Sequence, residues 1–188
     1  LRGINGWTGD MAAVPSEASR GKVAKLVGAP NGQKSASQTV TVNSPLDTTY
    51  MLSGWARANS ADLIEEGEEV AEVDEVKRPR KFGLKALLTY SDNSTEEKFI
   101  SFNPDNVNWQ YVSLAIVPNP ADPTVTLNTI TVSAVYDYNV NVMYFDDISL
   151  TVEPAQTYEY DENGNLEATT NADGNTSMMD YAQNGTDL

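Results

Sequence analysis

Between residues 21 and 154 the chain alternates apolar and polar positions in short runs broken by turn residues. Ser37–Val42 (SQTVTV) alternates strictly. Thr49–Ala56 (TYMLSGWA) places Tyr50, Leu52, Gly54 and Ala56 on one face and Met51, Ser53 and Trp55 on the other. Phe82–Tyr90, Glu97–Phe102, Trp109–Val117, Thr124–Tyr136 and Val140–Val152 follow, all rich in Val, Thr, Ile, Tyr and Phe. A period of two in β-branched and aromatic runs is the pattern of half-buried strands. The intervening Ser91-Asp92-Asn93-Ser94, Asn103-Pro104-Asp105-Asn106 and Pro118-Asn119-Pro120 are turn chemistry. About eight short strands without long helices predict an all-β, antiparallel β-sandwich or jelly roll.

One segment breaks the pattern. Asp62–Glu75 holds eight acidic residues and no basic one, and Lys77-Arg78-Pro79-Arg80-Lys81 follows. It reads as a charged insertion over 62–81: a solvated excursion between two strands, partly helical, or a charged interaction loop or metal-binding arm.

Charge then divides the chain. The 188 residues carry 12 basic and 27 acidic groups, a net charge of −15. All the basic residues precede Pro154, and residues 155–188 hold only acidic ones. The boundary is expected near 154–157, giving a β-sandwich over 1–154 and a separate segment over 155–188. So acidic a chain is a poor partner for nucleic acid, which needs clustered Lys and Arg to release counterions. No apolar run is long enough to span a bilayer, so membrane insertion is not expected. Cys and His are absent. That removes disulfides, thiolate metal sites, His-ligated zinc and Ser-His-Asp triads.

The last segment has its own rhythm. Asn163-Gly164 and Asp173-Gly174 are turn signals ten residues apart, the spacing of a short strand plus a tight turn. So little apolar material lies between them that 158–188 is expected to be loosely ordered or held as a hairpin.

Two resemblances add to this reading. Gly6-Trp7, Ser37–Val42, Tyr50–Ala56, Asn108–Ser113 and Tyr144–Leu150, in that order, resemble the jelly-roll, galactose-binding-like carbohydrate-binding modules found beside bacterial glycan-degrading enzymes. Tyr158-x-Tyr160-Asp161-x-x-Gly164-Asn165-Leu166, followed by Asp173-Gly174-Asn175, resembles the RHS/YD repeat of large bacterial surface and toxin proteins. Met179-Asp180-Tyr181 departs from the repeat's Tyr-x-Tyr-Asp. Together they imply an accessory module and a partial repeat segment within a larger multidomain protein, extracellular or cell-wall associated.

The module resemblance also implies a structural Ca²⁺. An Asp at the place of Asp146-Asp147 would ligate it, with partners from the N-terminal region, where Asn5 and Asp10 are the available residues. Ca²⁺ prefers six to eight oxygens, so one Asp does not suffice. The alternative is that Asp146 or Asp147 accepts backbone hydrogen bonds at a loop. The two carboxylates are adjacent on a strand, point to opposite faces and cannot act as one catalytic pair.

A sugar site needs amphipathic rings with amide and carboxylate groups nearby. Trp55 and Trp109 occupy positions that similar modules use for core packing, while Trp7, close to the chain start, is open to either role. Tyr90, Tyr136 and Tyr138, at strand ends or in the Asp137-Tyr138-Asn139 turn, are the better candidates, with Asp137, Asn139 and Asn141 as polar partners. The opposing reading packs Tyr136 and Tyr138 beneath the charged insertion.

Three functions follow. The first is a non-catalytic module that binds a polysaccharide or cell-wall glycan. The second is a ligand-free spacer of the same fold supporting a repeat shell. The third, a carboxylate-based glycoside hydrolase, draws no specific signal from 27 scattered acidic residues. An exposed row of aromatics on one sheet face would favour the first.

Overall fold

The computed structural model describes residues 6–16, 21–58, 70–73, 76–152, 157–160, 166–170 and 176–178. The chain divides into two compact units, Leu1–Thr151 and Val152–Leu188.

The first unit is a jelly-roll sandwich of two five-stranded sheets. Its strands are β1 (Thr8–Gly9), β2 (Met11–Pro15), β3 (Lys22–Val27), β4 (Ser35–Ser44), β5 (Tyr50–Ala58), β6 (Val70–Val73), β7 (Val76–Pro79), β8 (Lys81–Tyr90), β9 (Thr95–Ser101), β10 (Gln110–Ile116), β11 (Leu127–Asp137) and β12 (Val142–Val152). One sheet runs β1-β4-β11-β8-β9 and the other β10-β5-β12-β3-β2. Short β1 belongs to the first and β2 to the second, so the N-terminal strand changes sheet at Asp10. Its Oδ1 accepts from Lys34 Nζ at 2.9 Å and its Oδ2 from the Ser35 N–H at 3.3 Å, which pins the corner.

The alternation decides which side chains form the core. On β5, Tyr50, Leu52 and Ala56 are buried, and on β8 Leu84, Ala86, Leu88 and Tyr90 are. Ile130, Val132, Ala134 and Tyr136 of β11 continue that layer. Phe82, Phe102 and Phe145 meet at one end, with Phe82 and Phe102 stacked at 4.9 Å and Phe145 edge-on to both at 6.1 Å. Each such side chain is worth about 1.5–3 kcal/mol of burial. On β12 the parity slips: Met143 and Phe145 face the core, then Ile148 and Leu150 do. The extra residue is a bulge at Asp146-Asp147, where Asp147 has φ +46° and its N–H donates to Asp146 Oδ1 at 3.0 Å.

The sequence pattern did not single out β2 or β3, short strands with lysine and proline among their apolar residues. Inside the 62–81 insertion the described residues include an antiparallel hairpin, β6 with β7. Asp62–Glu69, with most of the acidic run, lie outside the described residues.

The second unit is an antiparallel three-stranded sheet of β13 (Thr157–Tyr160), β14 (Leu166–Thr170) and β15 (Thr176–Met178), in that order. The expected turns at Asn163-Gly164 and Asp173-Gly174 lie outside the described residues.

Candidate functional site

The outer face of the β10-β5-β12-β3-β2 sheet gathers aromatic and cationic side chains. Because Tyr50, Leu52 and Ala56 face inward, Met51, Ser53, Trp55 and Arg57 of β5 face outward. Trp55 pairs in register with Tyr111 of β10, and their rings lie 5.3 Å apart at 50°. Two residues along, the Arg57 guanidinium sits 5.9 Å from the Trp109 ring and 5.4 Å from the Tyr144 ring. Tyr144 of β12 pairs in register with Lys25 of β3, and Lys25 with Ala12 of β2. A stripe therefore crosses the sheet as Trp109, Arg57, Tyr144 and Lys25, with Trp55 and Tyr111 one step along the strands. From β10 to β3 is three strand spacings, roughly 14 Å.

Beside this stripe lies a cleft of about 470 Å³ lined by Val14, Pro15, Ser16, Val23, Lys25, Arg57, Trp109 and Tyr144. Its walls are fixed from both sides. On one, the Ser16 N–H donates to Gly21 O at 2.8 Å, closing the β2–β3 connection. On the other, Gln110 holds the loop before β10: its Nε2 donates to Asn103 O at 2.7 Å and its Oε1 accepts from the Asn103 N–H at 2.8 Å. Asn103 and Asn106 tighten that loop by accepting the N–H two residues on, from Asp105 at 2.9 Å and Asn108 at 3.0 Å. Trp109 is thus delivered to the face by asparagine turn chemistry and one glutamine clamp.

The residues singled out from sequence lie elsewhere. Tyr90 is 1% exposed, and its hydroxyl donates to Glu96 Oε2 at 2.5 Å. Tyr136 is fully buried with its hydroxyl donating to Val140 O, and Tyr138 is 8% exposed. Burial pushes the phenol pKa of both Tyr90 and Tyr136 upward. Asp137 is buried, accepting the Lys34 N–H at 3.1 Å and Gln33 Nε2 at 3.3 Å; burial raises its pKa against those two hydrogen bonds. Asn139 is buried and donates through Nδ2 to the carbonyls of Lys81 and Asp137, both at 3.0 Å. Only Asn141 is exposed, with φ +68°. The rings of Tyr90, Tyr136 and Tyr138 are enclosed in this fold and have no open face to offer a sugar. Trp7 packs partly buried against the core.

The expectation for Trp55 and Trp109 is corrected in the opposite direction. Both are half-buried, lie outside the hydrophobic cluster, and face outward with Tyr111 and Tyr144. The alternation of 49–56 already carried this signal for Trp55, since it falls on the face opposite Leu52. Its partner ring at Tyr111 required the register.

For Ca²⁺, both oxygens of Asp10 are engaged by Lys34 and Ser35. Asp146 is 3% exposed and accepts the Asp147 N–H, while Asp147 is exposed. Asn5 lies outside the described residues. Among the described residues no three acidic, His or Cys side chains come together; Ca²⁺ also takes backbone and amide carbonyl oxygens.

No protein-family model matches the chain, and no curated protein matches it. Solved structures do match in fold. A family 16 carbohydrate-binding module superposes with a TM-score of 0.51 at 20% identity, over 80% of this chain and 93% of that one. A Clostridium thermocellum endo-1,4-beta-D-xylanase fragment, a family 22 carbohydrate-binding module joined to a family 10 glycoside hydrolase module and complexed with xylohexaose, superposes at 0.52 with 14% identity. The enzymatically active domain of a bacteriophage CBA120 tailspike superposes at 0.51 with 10% identity. The match covers 27% of the xylanase chain and 20% of the tailspike. At these identities the likeness is one of fold.

Proposed function

We propose that the sandwich is a non-catalytic carbohydrate-binding module whose outer β10-β5-β12-β3-β2 face holds a polysaccharide chain. One observation carries this: Trp55, Tyr111, Trp109 and Tyr144 are collected on a single sheet face beside a cleft, although five different segments supply the cleft walls. Aromatic rings left half-exposed together present apolar faces with polar edges, which suit the C–H faces and hydroxyls of a sugar. The fold likeness to a family 16 carbohydrate-binding module supports the same reading.

Affinity electrophoresis of the purified protein through gels containing plant, mucin and peptidoglycan glycans tests this. Retardation by at least one neutral or acidic glycan, lost in Trp55→Ala, is expected. Unaltered mobility with every glycan at high micromolar concentration would leave the ligand-free spacer as the better description.

The setting we propose is a secreted or wall-associated bacterial RHS-repeat protein. The supporting features are the Tyr158-x-Tyr160-Asp161-x-x-Gly164-Asn165 spacing and the antiparallel strands β13, β14 and β15. The natural full-length sequence tests it, and a chain without further Tyr-x-Tyr-Asp units would remove this setting.

A further inference from the structure

The cleft reverses the charge of the chain around it. The chain carries 27 acidic residues against 12 basic. The described lining of the cleft holds Lys25 and Arg57 and no acidic residue. Four lysines of the sandwich are matched to carboxylates: Lys34 to Asp10 at 2.9 Å, Lys81 and Lys85 to Glu97 at 3.6 and 3.7 Å, and Lys98 to Glu96 at 2.5 Å. Lys25, half-buried between Tyr144 and Ala12, has no ion-pair partner among the described residues.

We infer that this cleft selects glycans bearing anionic groups, such as uronate carboxylates or sulfates, with Lys25 as the residue that reads the charge. The inference rests on the glycan-binding reading above and specifies its ligand class. Arg57 is set in place by the two rings that flank it, and a guanidinium against aromatic faces is a stable arrangement. Lys25 stands on the far side of Tyr144 from Arg57, so a sugar lying on Tyr144 has a cation on either side. Nucleic acid, with its longer row of phosphates, needs more cations than this face offers. The net charge of −15 repels an acidic polymer at long range, so any preference for one has to arise from contact within the cleft.

The experiment compares matched polymers: polygalacturonate against its carboxyl-reduced counterpart, glucuronoxylan against unsubstituted xylan, and a sulfated galactan against neutral galactan. Titration calorimetry is run on the wild type, Lys25→Gln and Lys25→Arg, with a melt of each variant to check folding. An anionic member bound roughly tenfold or more tightly than its neutral match is expected, as for a charge-assisted hydrogen bond. Lys25→Gln is expected to bring that ratio close to one, and Lys25→Arg to retain it. The pair showing the preference separates carboxylate from sulfate. Equal or tighter binding of the neutral members overturns the inference and leaves the glycan reading standing. An anionic preference that survives in Lys25→Gln overturns the assignment of that preference to Lys25. Binding to none of the polymers removes both.

Discussion

Trp55 and Tyr111 stand opposite one another on neighbouring strands, their rings 5.3 Å apart and tilted by 50°, on the face turned away from the core. Tyr111 is 52% exposed, so the pair contributes less to stability than a buried aromatic and leaves ring surface available. Trp55→Ala and Tyr111→Ala are expected to weaken glycan binding by about 1–2 kcal/mol each, on the order of tenfold. Tyr111→Ala should leave the melting temperature close to wild type. Calorimetric titration and thermal melts check both. Undiminished affinity in both variants would move the site off this face.

The positions of Trp55 and Tyr90 show what the sequence made legible. Trp55 is out of phase with Leu52, and Tyr90 is in phase with Leu84, Ala86 and Leu88, so strict alternation places the first outside and the second inside. Tyr136, in phase with Ile130, Val132 and Ala134, follows the same rule. Proximity to turns drew attention to Tyr90, Tyr136 and Tyr138 as ligand contacts, but burial in this fold extends to the strand ends. The main strands, their inward residues and the sandwich class were readable because the period of two is strong there. The bulge at Asp146-Asp147 was not, since it shifts parity by one residue without altering composition. Nor was the cleft, whose Val14, Lys25, Arg57 and Trp109 become neighbours only through the strand order β10-β5-β12-β3-β2.

Gln110 offers a way to disturb the face without touching a ligand. Both ends of its amide are committed to Asn103, at 2.7 and 2.8 Å, and this holds the loop that presents Trp109. Gln110→Ala removes both of these hydrogen bonds and a longer one from Nε2 to Asn106 O at 3.4 Å. A loss of about 1–2 kcal/mol of stability is expected, with reduced glycan affinity and the Trp55–Tyr111 pair intact. Urea unfolding and titration measure the two effects, and a variant that lost stability but bound normally would show that Trp109 contributes nothing to binding.

The carboxylate of Glu96 links β9 to two other elements. Its Oε2 accepts from the Tyr90 hydroxyl at 2.5 Å and from the Asn119 N–H at 2.9 Å, and its Oε1 faces Lys98 at 2.5 Å. Burial by itself would raise its pKa, but Lys98, Tyr90 and the Asn119 N–H outweigh burial and hold it below the usual value of 4.5. A folded-state pKa lower than the unfolded one means the unfolded chain binds the proton first. The stabilisation is therefore complete above that ordinary value and is lost as pH falls through the depressed one. Glu96→Gln should lower stability at neutral pH by roughly 1–3 kcal/mol and flatten the decline below pH ~4.5. Melting temperatures across an acid series check this; a variant whose acid decline is as steep as wild type would assign that decline to other carboxylates.

Gly28 and Gly32 are four residues apart, yet replacing each with alanine should have opposite outcomes. A Cβ at Gly28 would lie 2.5 Å from Asn139 O and 2.8 Å from Tyr136 Cε1. The first is backbone of the turn that closes over the core end, and the second belongs to a fully buried ring. Neither can withdraw cheaply, and the Gly28 N–H is itself held to Asn141 O at 2.9 Å. Gly28→Ala should therefore cost about 1–3 kcal/mol or more, as overpacking against fixed atoms does. At Gly32 the nearest atom is Ala29 Cβ at 3.5 Å, an ordinary contact. There alanine narrows the unfolded ensemble without a clash, so Gly32→Ala should be neutral or stabilising by up to about 1 kcal/mol. Chemical unfolding of the two variants side by side measures the difference. Equal stabilities would mean that the Tyr136–Asn141 turn yields where the contacts say it cannot, and the burial of Tyr136 and Asn139 would lose its explanation.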